Sequence, residues 1–411
     1  MSVRLSKIRQ RFASNALANP AGVVREHLAK LDDSIQPGAR IAIGVGSRGI
    51  DNLIPIVRET ADYIRARGAE PFIVPAMGSH GGGSAEGQAD VLASYGVTEQ
   101  AVHAPVRATM EVVRLNNGDL PIEIFMDRNA HESNGIVVIN RIKPHTDFHG
   151  RYESGLLKMA LIGLGKQDGA LSIHRFGVAG LRELIAPGAR QVLASGKILA
   201  GIGLVEDAYH QTMAVKVLKA DELADQEPTL LDMARRNMAR LPVKAIDVLL
   251  IDRIGKDISG VGMDPNITGR IGVNGEHDTA APTVGMMVVC DLTEHSHGNA
   301  IGVGLADVIT ERLAGKIERA ATYANVITSG FLERGKIPVA AGTDREAFDV
   351  ALRSCALSNG RPRIIRIQDT LHLEDIYVSA AVLDEVHGTS EVELIERDAE
   401  MFDGTGTLTG F

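Results

Sequence analysis

The sequence contains no tryptophan, and nine phenylalanines and six tyrosines bring its aromatic content to only 4%. Any substrate pocket therefore has little aromatic lining. The two cysteines, Cys290 and Cys355, both lie in apolar runs and are too few for a disulfide framework or a cysteine-based metal site. No apolar run approaches the roughly 20 residues that a membrane-spanning helix needs, and the N-terminus lacks the apolar core of a secretory signal. These absences predict a globular, cytoplasmic protein.

Basic residues are also fewer than acidic ones, and the net charge of the chain is −9. Proteins that bind nucleic acid usually carry a basic stripe, so neither nucleic acid nor a membrane is expected as a partner. The first fifty residues are locally basic without interleaved aromatics, and we interpret them as a solvated helix face, with a helix predicted over 13–31. The basic positions are Arg4, Lys7, Arg9, Arg11, Arg25 and Lys30.

A chain of 411 residues is too long for one ordinary core and predicts two domains. Short apolar runs alternate with helical patterns in both halves, which favours an α/β fold: two domains with mostly parallel sheets flanked by helices, and the active site in the interdomain cleft. The predicted boundaries are 1–235 for a cofactor-binding and catalytic domain and 236–411 for a domain that closes the cleft, whose last residues are allowed to return to the first domain. The charged segment 219–241 is predicted to be a helical hinge.

The densest group of chemically active side chains follows the apolar run 135–139, which is typical of a buried parallel strand. Ligands bind outside the carboxyl ends of strands in open α/β sheets, so we predict a site in 140–177. His145 and His149 would share a helix face as zinc ligands, but Pro144 and Gly150 make a helix there doubtful. Lys158 begins an apolar run, which would destabilise its ammonium and favour a nucleophilic amine. The polar members of the stretch are Lys143, His145, Asp147, His149, Glu153, Lys158, Lys166, His174 and Arg175.

Two further motifs lie between predicted strands and helices. The segment 44–49 has the form G-x-G-x-x-G, which suits a phosphate at a helix N-terminus, but the next strand ends without the carboxylate of a dinucleotide site. A plain tight turn is the alternative there. His80 lies among glycines, where it is either a surface residue or a functional one. In the second half, Glu294, His295 and His297 form one polar loop, and Lys256, Asp257, Asp264 and Arg270 lie on another.

In the order Arg48, His80, His145, Lys158 and His174, the chain resembles the nickel-pincer-nucleotide-dependent lactate racemase family. The family's Thr/Ser-Arg turn is matched by Ser47-Arg48, and its Gly-Thr/Ser-His motif by 78–80. Its Pro-His and Ser-Gly-Gly-Ala-Lys segments are matched by Pro144-His145 and by 154–158, and its nickel-ligating histidine by His174. The resemblance covers the N-terminal half well and the C-terminal half only loosely.

The resemblance implies a role for each matched residue. His80 and His145 would be the two acid/base groups, one for each enantiomer, since histidine titrates in the right range. Lys158 would tether the nickel-pincer nucleotide and His174 would bind its nickel. Ser47, Arg48, Ser154 and Gly155 would also bind cofactor, and Arg48, Lys256 and Arg270 are the candidates for substrate binding.

The predicted function is racemisation or epimerisation of a 2-hydroxy acid by reversible, proton-coupled hydride transfer, with cofactor-biosynthesis proteins as loading partners and a homo-oligomer left open. Leu156 and Leu157 replace the family's small residues beside the lysine, and the absence of tryptophan favours an acid other than lactate. Two alternatives remain. One is an NAD(P)-dependent dehydrogenase that uses the 44–49 turn, and the other is a non-catalytic sensor of an anionic metabolite.

Overall fold

The computed structural model describes residues 4–47, 49–279, 282–355 and 360–411. They form two compact units. One is Ala13–Met238, called here the 13–238 unit; the other joins the first strand, up to Phe12, to Ala239–Phe411 and is called the 239–411 unit.

The 13–238 unit is built on a five-stranded sheet with the order β3-β2-β6-β7-β8, in which only β8 is antiparallel to its neighbour. Its parallel strands are apolar along their middle residues because both faces of the sheet are covered. A separate antiparallel pair, β4 and β5, lies outside this sheet. The strands are β2 (Arg40–Val45), β3 (Glu70–Pro75), β4 (Val112–Leu115), β5 (Ile124–Asp127), β6 (Gly135–Arg141), β7 (Ile198–Glu206) and β8 (Thr212–Lys219).

Helices cover this sheet and supply its core with Ile56, Val57, Ile64 and other buried apolar side chains. A single π-helical segment, Met159–Gly163, lies between two of the helices, and such segments are frequent at functional sites. The α-helices are α1 (Pro20–Leu28), α2 (Leu53–Ala66), α3 (Ala85–Ser94), α4 (Glu99–Val102), α5 (Arg128–His131), α6 (Leu156–Lys158), α7 (Lys166–His174), α8 (Gly177–Ala194) and α9 (Leu223–Asn237). Short 3-10 helices occupy Ala29–Ser34 and Gly81–Gly83.

The 239–411 unit is built on an eight-stranded mixed sheet with the order β12-β11-β10-β9-β13-β14-β1-β15. Strands β9 to β13 are parallel to one another, and β14, β1 and β15 continue the sheet in antiparallel pairs. The strands are β1 (Arg4–Gln10), β9 (Ala245–Ile251), β10 (Thr283–Val289), β11 (Val308–Thr310), β12 (Val339–Ala341), β13 (Ile364–Ile367), β14 (Asp375–Val378) and β15 (Val392–Glu400).

Five α-helices are described in this unit, together with three 3-10 helices at Glu294–Ser296, Val303–Leu305 and Leu332–Gly335. The core between helices and sheet includes Val248, Leu250 and Phe348. The α-helices are α10 (Pro265–Thr268), α11 (Glu311–Lys316), α12 (Arg319–Ser329), α13 (Asp344–Ser354) and α14 (Ala380–Val386). The predicted α/β class, with mostly parallel sheets flanked by helices, is confirmed. Within the described residues, no helix is both long and apolar enough to cross a membrane.

One local prediction was wrong in part. Of the basic positions, Arg4, Lys7 and Arg9 lie on β1, in which Leu5 and Ile8 are buried, whereas Arg25 is exposed on α1 as predicted. The segment 219–241 is helical over α9, which packs a buried face, including Leu230 and Leu231, within the 13–238 unit. The two units divide between Met238 and Ala239, inside that segment, and its role as a hinge stays a prediction.

Candidate active site

Three parallel strands bring the predicted site residues to one edge of the sheet in the 13–238 unit. Ser47 follows β2, His80 follows β3 and His145 follows β6, and these three strands are neighbours. The carboxyl ends of parallel strands lie at the same edge, which is where ligands bind in such sheets. The predicted residues of this unit therefore form two groups at that edge, around His80 and around His145.

In the first group, Nδ1 of His80 lies 2.8 Å from Oγ of Ser47 and 2.8 Å from the carbonyl oxygen of Met77. A carbonyl only accepts, so Nδ1 carries the ring proton and donates to Met77. The lone pair of the neutral ring is then on Nε2. His80 is exposed, which suits a base that meets a substrate.

A buried polar network holds the loop that carries His80. Nε2 of Gln88 donates to the carbonyl oxygens of Gly78 and His80, at 2.7 and 3.3 Å, while its Oε1 accepts from Nζ of Lys166 at 2.9 Å. Nζ of Lys166 also donates to the carbonyl oxygen of Pro75 at 2.5 Å and pairs with the buried carboxylate of Asp127 at 2.9 Å. The two charged side chains are fully buried, and burial lowers the pKa of Lys166 and raises that of Asp127.

Glycine is required in this loop. Gly81 has a φ of +66°, and a Cβ there would lie 2.5 Å from the backbone of Gly87. Only glycine adopts this conformation without strain and leaves room for the helix that follows. The network around Gln88 thus holds a tightly turned chain, not a loose loop.

The second group centres on a short contact: Nζ of Lys158 lies 2.5 Å from Nε2 of His145. Burial and then the positive charge of Lys158 lower the pKa of His145 to about 3, although Asp147 and Glu153 oppose the shift. The imidazole is therefore neutral at physiological pH. The backbone N–H of Asp147 lies 3.1 Å from Nδ1 and donates to it.

Glu153 fixes the loop that carries His145. Its side chain is fully buried and accepts hydrogen bonds from the backbone N–H groups of His145 (2.6 Å) and Gly150 (2.9 Å). It also pairs with Arg235 at 2.6 Å and contacts the ring of His149 at 3.3 Å. These hydrogen bonds outweigh burial and lower the pKa of Glu153. His149 is thus engaged with a buried carboxylate, and no group of three or more histidine, cysteine or acidic residues suited to a metal occurs within the described ranges.

His174 ends α7 and belongs to the same group as Lys158. Its pKa is lowered by burial and by the charge of Lys158, while the carboxylate of Asp147 acts in the opposite direction. The neutral form therefore dominates, with a ring lone pair that suits nickel. A single histidine makes a metal site only if another group supplies the remaining donors, as a pincer nucleotide would.

The two leucines that precede Lys158 belong to the core. Leu156 and Leu157 are fully buried, and Leu156 lies over Gly201 and Gly203 of β7. Their bulk is therefore accommodated inside the unit and does not by itself exclude a group attached at Lys158.

A buried acid lies beneath this lysine segment, residues 156–158. Oε2 of Glu227 accepts the backbone N–H groups of Leu156 and Leu157 at 2.8 and 2.9 Å, while its Oε1 has no hydrogen-bond partner. Burial raises the pKa of Glu227 to about 7 against these two hydrogen bonds. A Cβ at Gly155 would lie 2.4 Å from Oε1, so the carboxyl group needs the glycine there.

The remaining predicted residues have these positions. The carbonyl oxygen of Ser154 accepts from the backbone N–H of Lys143 at 3.0 Å, and that of Gly155 accepts from Asn140 at 3.1 Å. Arg48 lies outside the described residues.

Lys256 and Arg270, the candidates for substrate binding, belong to the 239–411 unit. Nζ of Lys256 donates to Asn325 at 2.9 Å and to the carbonyl oxygen of Gly260 at 2.6 Å. Arg270 pairs with Asp307 at 2.7 Å, and its guanidinium also donates to three backbone carbonyls. Arg270 thus has a structural role within this unit, and substrate binding by either residue stays a prediction.

The turn after β2 has little in common with a dinucleotide site. The helix does not follow Gly49 directly but begins at Leu53. The backbone N–H of Asp51 donates to Glu206 at 3.0 Å, and the carboxylate of Asp51 accepts from Thr212 at 2.8 Å. Glu206, whose other carboxylate oxygen pairs with Arg141, therefore takes a backbone N–H before this helix that a bound phosphate would otherwise use.

These features define an α/β protein whose candidate site lies at the carboxyl ends of parallel strands. The fold is similar to that of the lactate racemase apoprotein from Thermoanaerobacterium thermosaccharolyticum, with a TM-score of 0.53 over 89% of this chain and 93% of that chain. The two sequences are 11% identical, so the similarity establishes the fold alone. No protein-family model and no curated protein sequence matches the chain.

Proposed function

We propose that the protein is a racemase or epimerase of a 2-hydroxy acid that uses a nickel-pincer nucleotide. The observation that carries the proposal is the contact between Lys158 and His145, 2.5 Å long, beside His174. The proposal is supported by the proximity of these three side chains and by a fold similar to that of a lactate racemase; in it, Lys158 is the tether, His145 an acid/base group and His174 the nickel ligand. A cytoplasmic location and loading by cofactor-biosynthesis proteins belong to the same proposal.

The residues of the site have distinct tasks in this reaction. When bound, the cofactor would supply the acceptor for the hydrogen on the α-carbon, which is too weakly acidic to leave as a proton. Each enantiomer presents its hydroxyl proton from a different side, so two bases are needed. Nε2 of His80 and the imidazole of His145 would take and return that proton, and His174 would bind the nickel.

Attachment of the cofactor would also prepare His145 for its task. With a pKa of about 3, the ring is too weak a base to hold a proton near neutral pH. Acylation of Lys158 would remove the neighbouring positive charge, which is, after burial, the second of the three causes that lower the pKa. We therefore expect tethering to raise the pKa of His145 and make it a better base.

The test uses the full-length protein, produced together with the cofactor-biosynthesis machinery. We expect stoichiometric nickel, a mass increment on Lys158, and interconversion of the enantiomers of at least one acid in a panel of 2-hydroxy acids. Lys158→Gln should lose the mass increment and raise the pKa of His145 in an NMR titration, whereas the exposed control Lys216→Ala should change neither.

Each alternative result has a definite meaning. Nickel without a mass increment would reject Lys158 as the tether but retain the reaction. If the protein has neither nickel nor a mass increment and binds NAD or NADP tightly, the dehydrogenase replaces the proposal. If it has neither and binds no nicotinamide nucleotide, the result favours a metabolite sensor.

A further inference from the structure

The sheet of the 239–411 unit contains a second place where ligands commonly bind. From β9 the chain proceeds through β10, β11 and β12 towards one edge of the sheet, whereas β13 lies on the other side of β9 and parallel to it. The strands that follow β9 in the chain are thus added first on one side of it and then, with β13, on the other side. In open α/β sheets, a crevice forms where the side changes in this way, outside the carboxyl ends of the strands.

Three side chains meet at those two strand ends. Arg253 lies two residues past the end of β9, Asp369 lies two residues past the end of β13, and His372 follows on the same turn. The carboxylate of Asp369 is fully buried, whereas the side chains of Arg253 and His372 are 42% and 60% exposed. One buried acid therefore holds two exposed basic groups side by side.

The hydrogen bonds of Asp369 determine how both groups are oriented. Its Oδ2 accepts from Nε and Nη2 of Arg253, at 3.2 and 3.1 Å. Its Oδ1 accepts from the backbone N–H groups of Leu371 and His372, at 3.0 and 3.1 Å, and from Nδ1 of the His372 ring at 2.7 Å. A carboxylate only accepts, so Nδ1 of the ring carries a proton and the other ring nitrogen is directed away from Asp369.

Two polar atoms remain for a ligand. Within the part of the chain that the structure describes, neither Nη1 of Arg253 nor Nε2 of His372 has a protein partner. The nearest other acid, Asp252, is already held by both Nε and Nη2 of Arg366 at 2.8 Å. It therefore competes little for Arg253.

We propose that Arg253 and His372, oriented by Asp369, form a binding site for a small oxyanion, either a carboxylate or a phosphate. The planar guanidinium offers Nη1 and the outer hydrogen of Nη2, and such groups match the geometry of carboxylate and phosphate oxygens. The imidazolium form of His372 donates a third hydrogen bond from Nε2. This site lies within the 239–411 unit and does not depend on the proposed racemase activity.

The same contacts would also suit a purely structural role, in which Asp369 ties the turn after β13 to β9. The two roles differ in which atoms matter. A structural tie needs only the atoms that face Asp369, whereas a ligand site needs the outward atoms as well. Substitutions at Arg253 and His372 must therefore change ligand affinity, and not stability alone.

The experiment is calorimetric titration of the full-length protein with two probes, inorganic phosphate and 2-hydroxyisobutyrate. The second probe is a 2-hydroxy acid without an α-hydrogen, so the proposed reaction cannot consume it. We expect one probe to bind at least tenfold more tightly than the other, which distinguishes the two sources of the oxyanion. Arg253→Gln and His372→Gln should each weaken the tighter probe at least tenfold.

Two controls make the outcome decisive. Arg361→Gln removes an exposed arginine of the same unit that pairs with Asp384, and it should leave affinity unchanged. Lys158→Gln should also leave it unchanged, because that residue belongs to the other candidate site. The proposal is overturned if Arg253→Gln and His372→Gln lower the melting temperature but not the affinity, if Arg361→Gln weakens binding equally, or if neither probe binds. Loss of binding in Lys158→Gln alone would assign the oxyanion to the racemase site instead.

Discussion

The two histidines proposed as bases lie in contrasting surroundings. His80 is exposed, and its loop rests on the neutral amide of Gln88. His145 is nearly buried, faces the ammonium of Lys158 and has a pKa of about 3, and the lysine segment beside it rests on the carboxyl group of Glu227. The two histidines proposed as bases therefore differ in basicity as long as Lys158 carries its charge. The difference indicates that the site completes its acid/base pair only when Lys158 loses its charge.

The largest expected effect comes from removing either base. His80→Ala and His145→Ala should each lower kcat/KM by about 10²- to 10⁴-fold in both directions, because racemisation needs a proton taken on one side and returned on the other. The measurement is the initial rate from each pure enantiomer, with nickel content determined in parallel. A variant that keeps full activity in both directions would remove its histidine from the mechanism.

The next effect concerns the support of the His80 loop. Lys166→Met leaves the buried carboxylate of Asp127 unpaired and should cost about 3–5 kcal/mol of unfolding free energy. The double variant Lys166→Met with Asp127→Asn, which removes the stranded charge, should recover part of that loss. Denaturant unfolding measures both.

Hydrogen exchange adds a local test of the same variant. Backbone N–H groups of residues 78–88 should exchange faster in Lys166→Met, whereas those of residues 145–158 should not. Equal acceleration in both segments would mean that the two groups are one cooperative unit, and the contrast between them would not hold.

The smallest effect concerns the acid beneath the lysine segment. Glu227 has a pKa of about 7 in the folded protein and an ordinary value of 4.5, so the folded state favours its neutral form. Its contribution to stability is complete below pH 4.5 and is lost as the pH rises towards 7. The difference of 2.5 pKa units, at about 1.36 kcal/mol each, gives an upper limit of about 3 kcal/mol.

Glu227→Gln should therefore gain stability relative to the parent protein between pH 5 and pH 8. Urea unfolding at the two pH values measures the change, and Asp225→Asn, on the exposed part of the same helix, is the matched control. A constant difference between Glu227→Gln and the parent at both pH values would show that the carboxyl group ionises normally.

Much of the fold could be predicted because its parallel strands are local apolar runs. Apolar runs in the sequence predict a buried strand at the positions of β2, β3, β6 and β9. The polar residues that follow β6 predict the site. Strand β1 was missed because its buried apolar residues, Leu5 and Ile8, are three apart and do not follow the alternation of a regular strand, and because its partner strands lie more than 360 residues away.

The supporting groups of the site could not be found in the same way. Gln88 and Glu227 lie 8 and 70 residues from the backbone atoms they hold, at His80 and Leu157, and nothing in the local pattern marks them as buried. Their roles depend on how α3 and α9 pack against the loops. The consequence of having Leu156 and Leu157 beside Lys158 depends on where their side chains lie. The sequence shows only that they are large, whereas the structure shows that they are buried in the core.

Strand β1 has a consequence for the order of events during synthesis. It leaves the ribosome first, yet both of its neighbours, β14 and β15, are among the last segments to be made. The 13–238 unit is complete long before the sheet of the 239–411 unit can close around β1. Until then, a strand with buried Leu5 and Ile8 has no sheet to join, and closing the sheet requires a loop that spans nearly the whole chain. Strand β1 therefore joins its sheet only after β14 and β15 have been made.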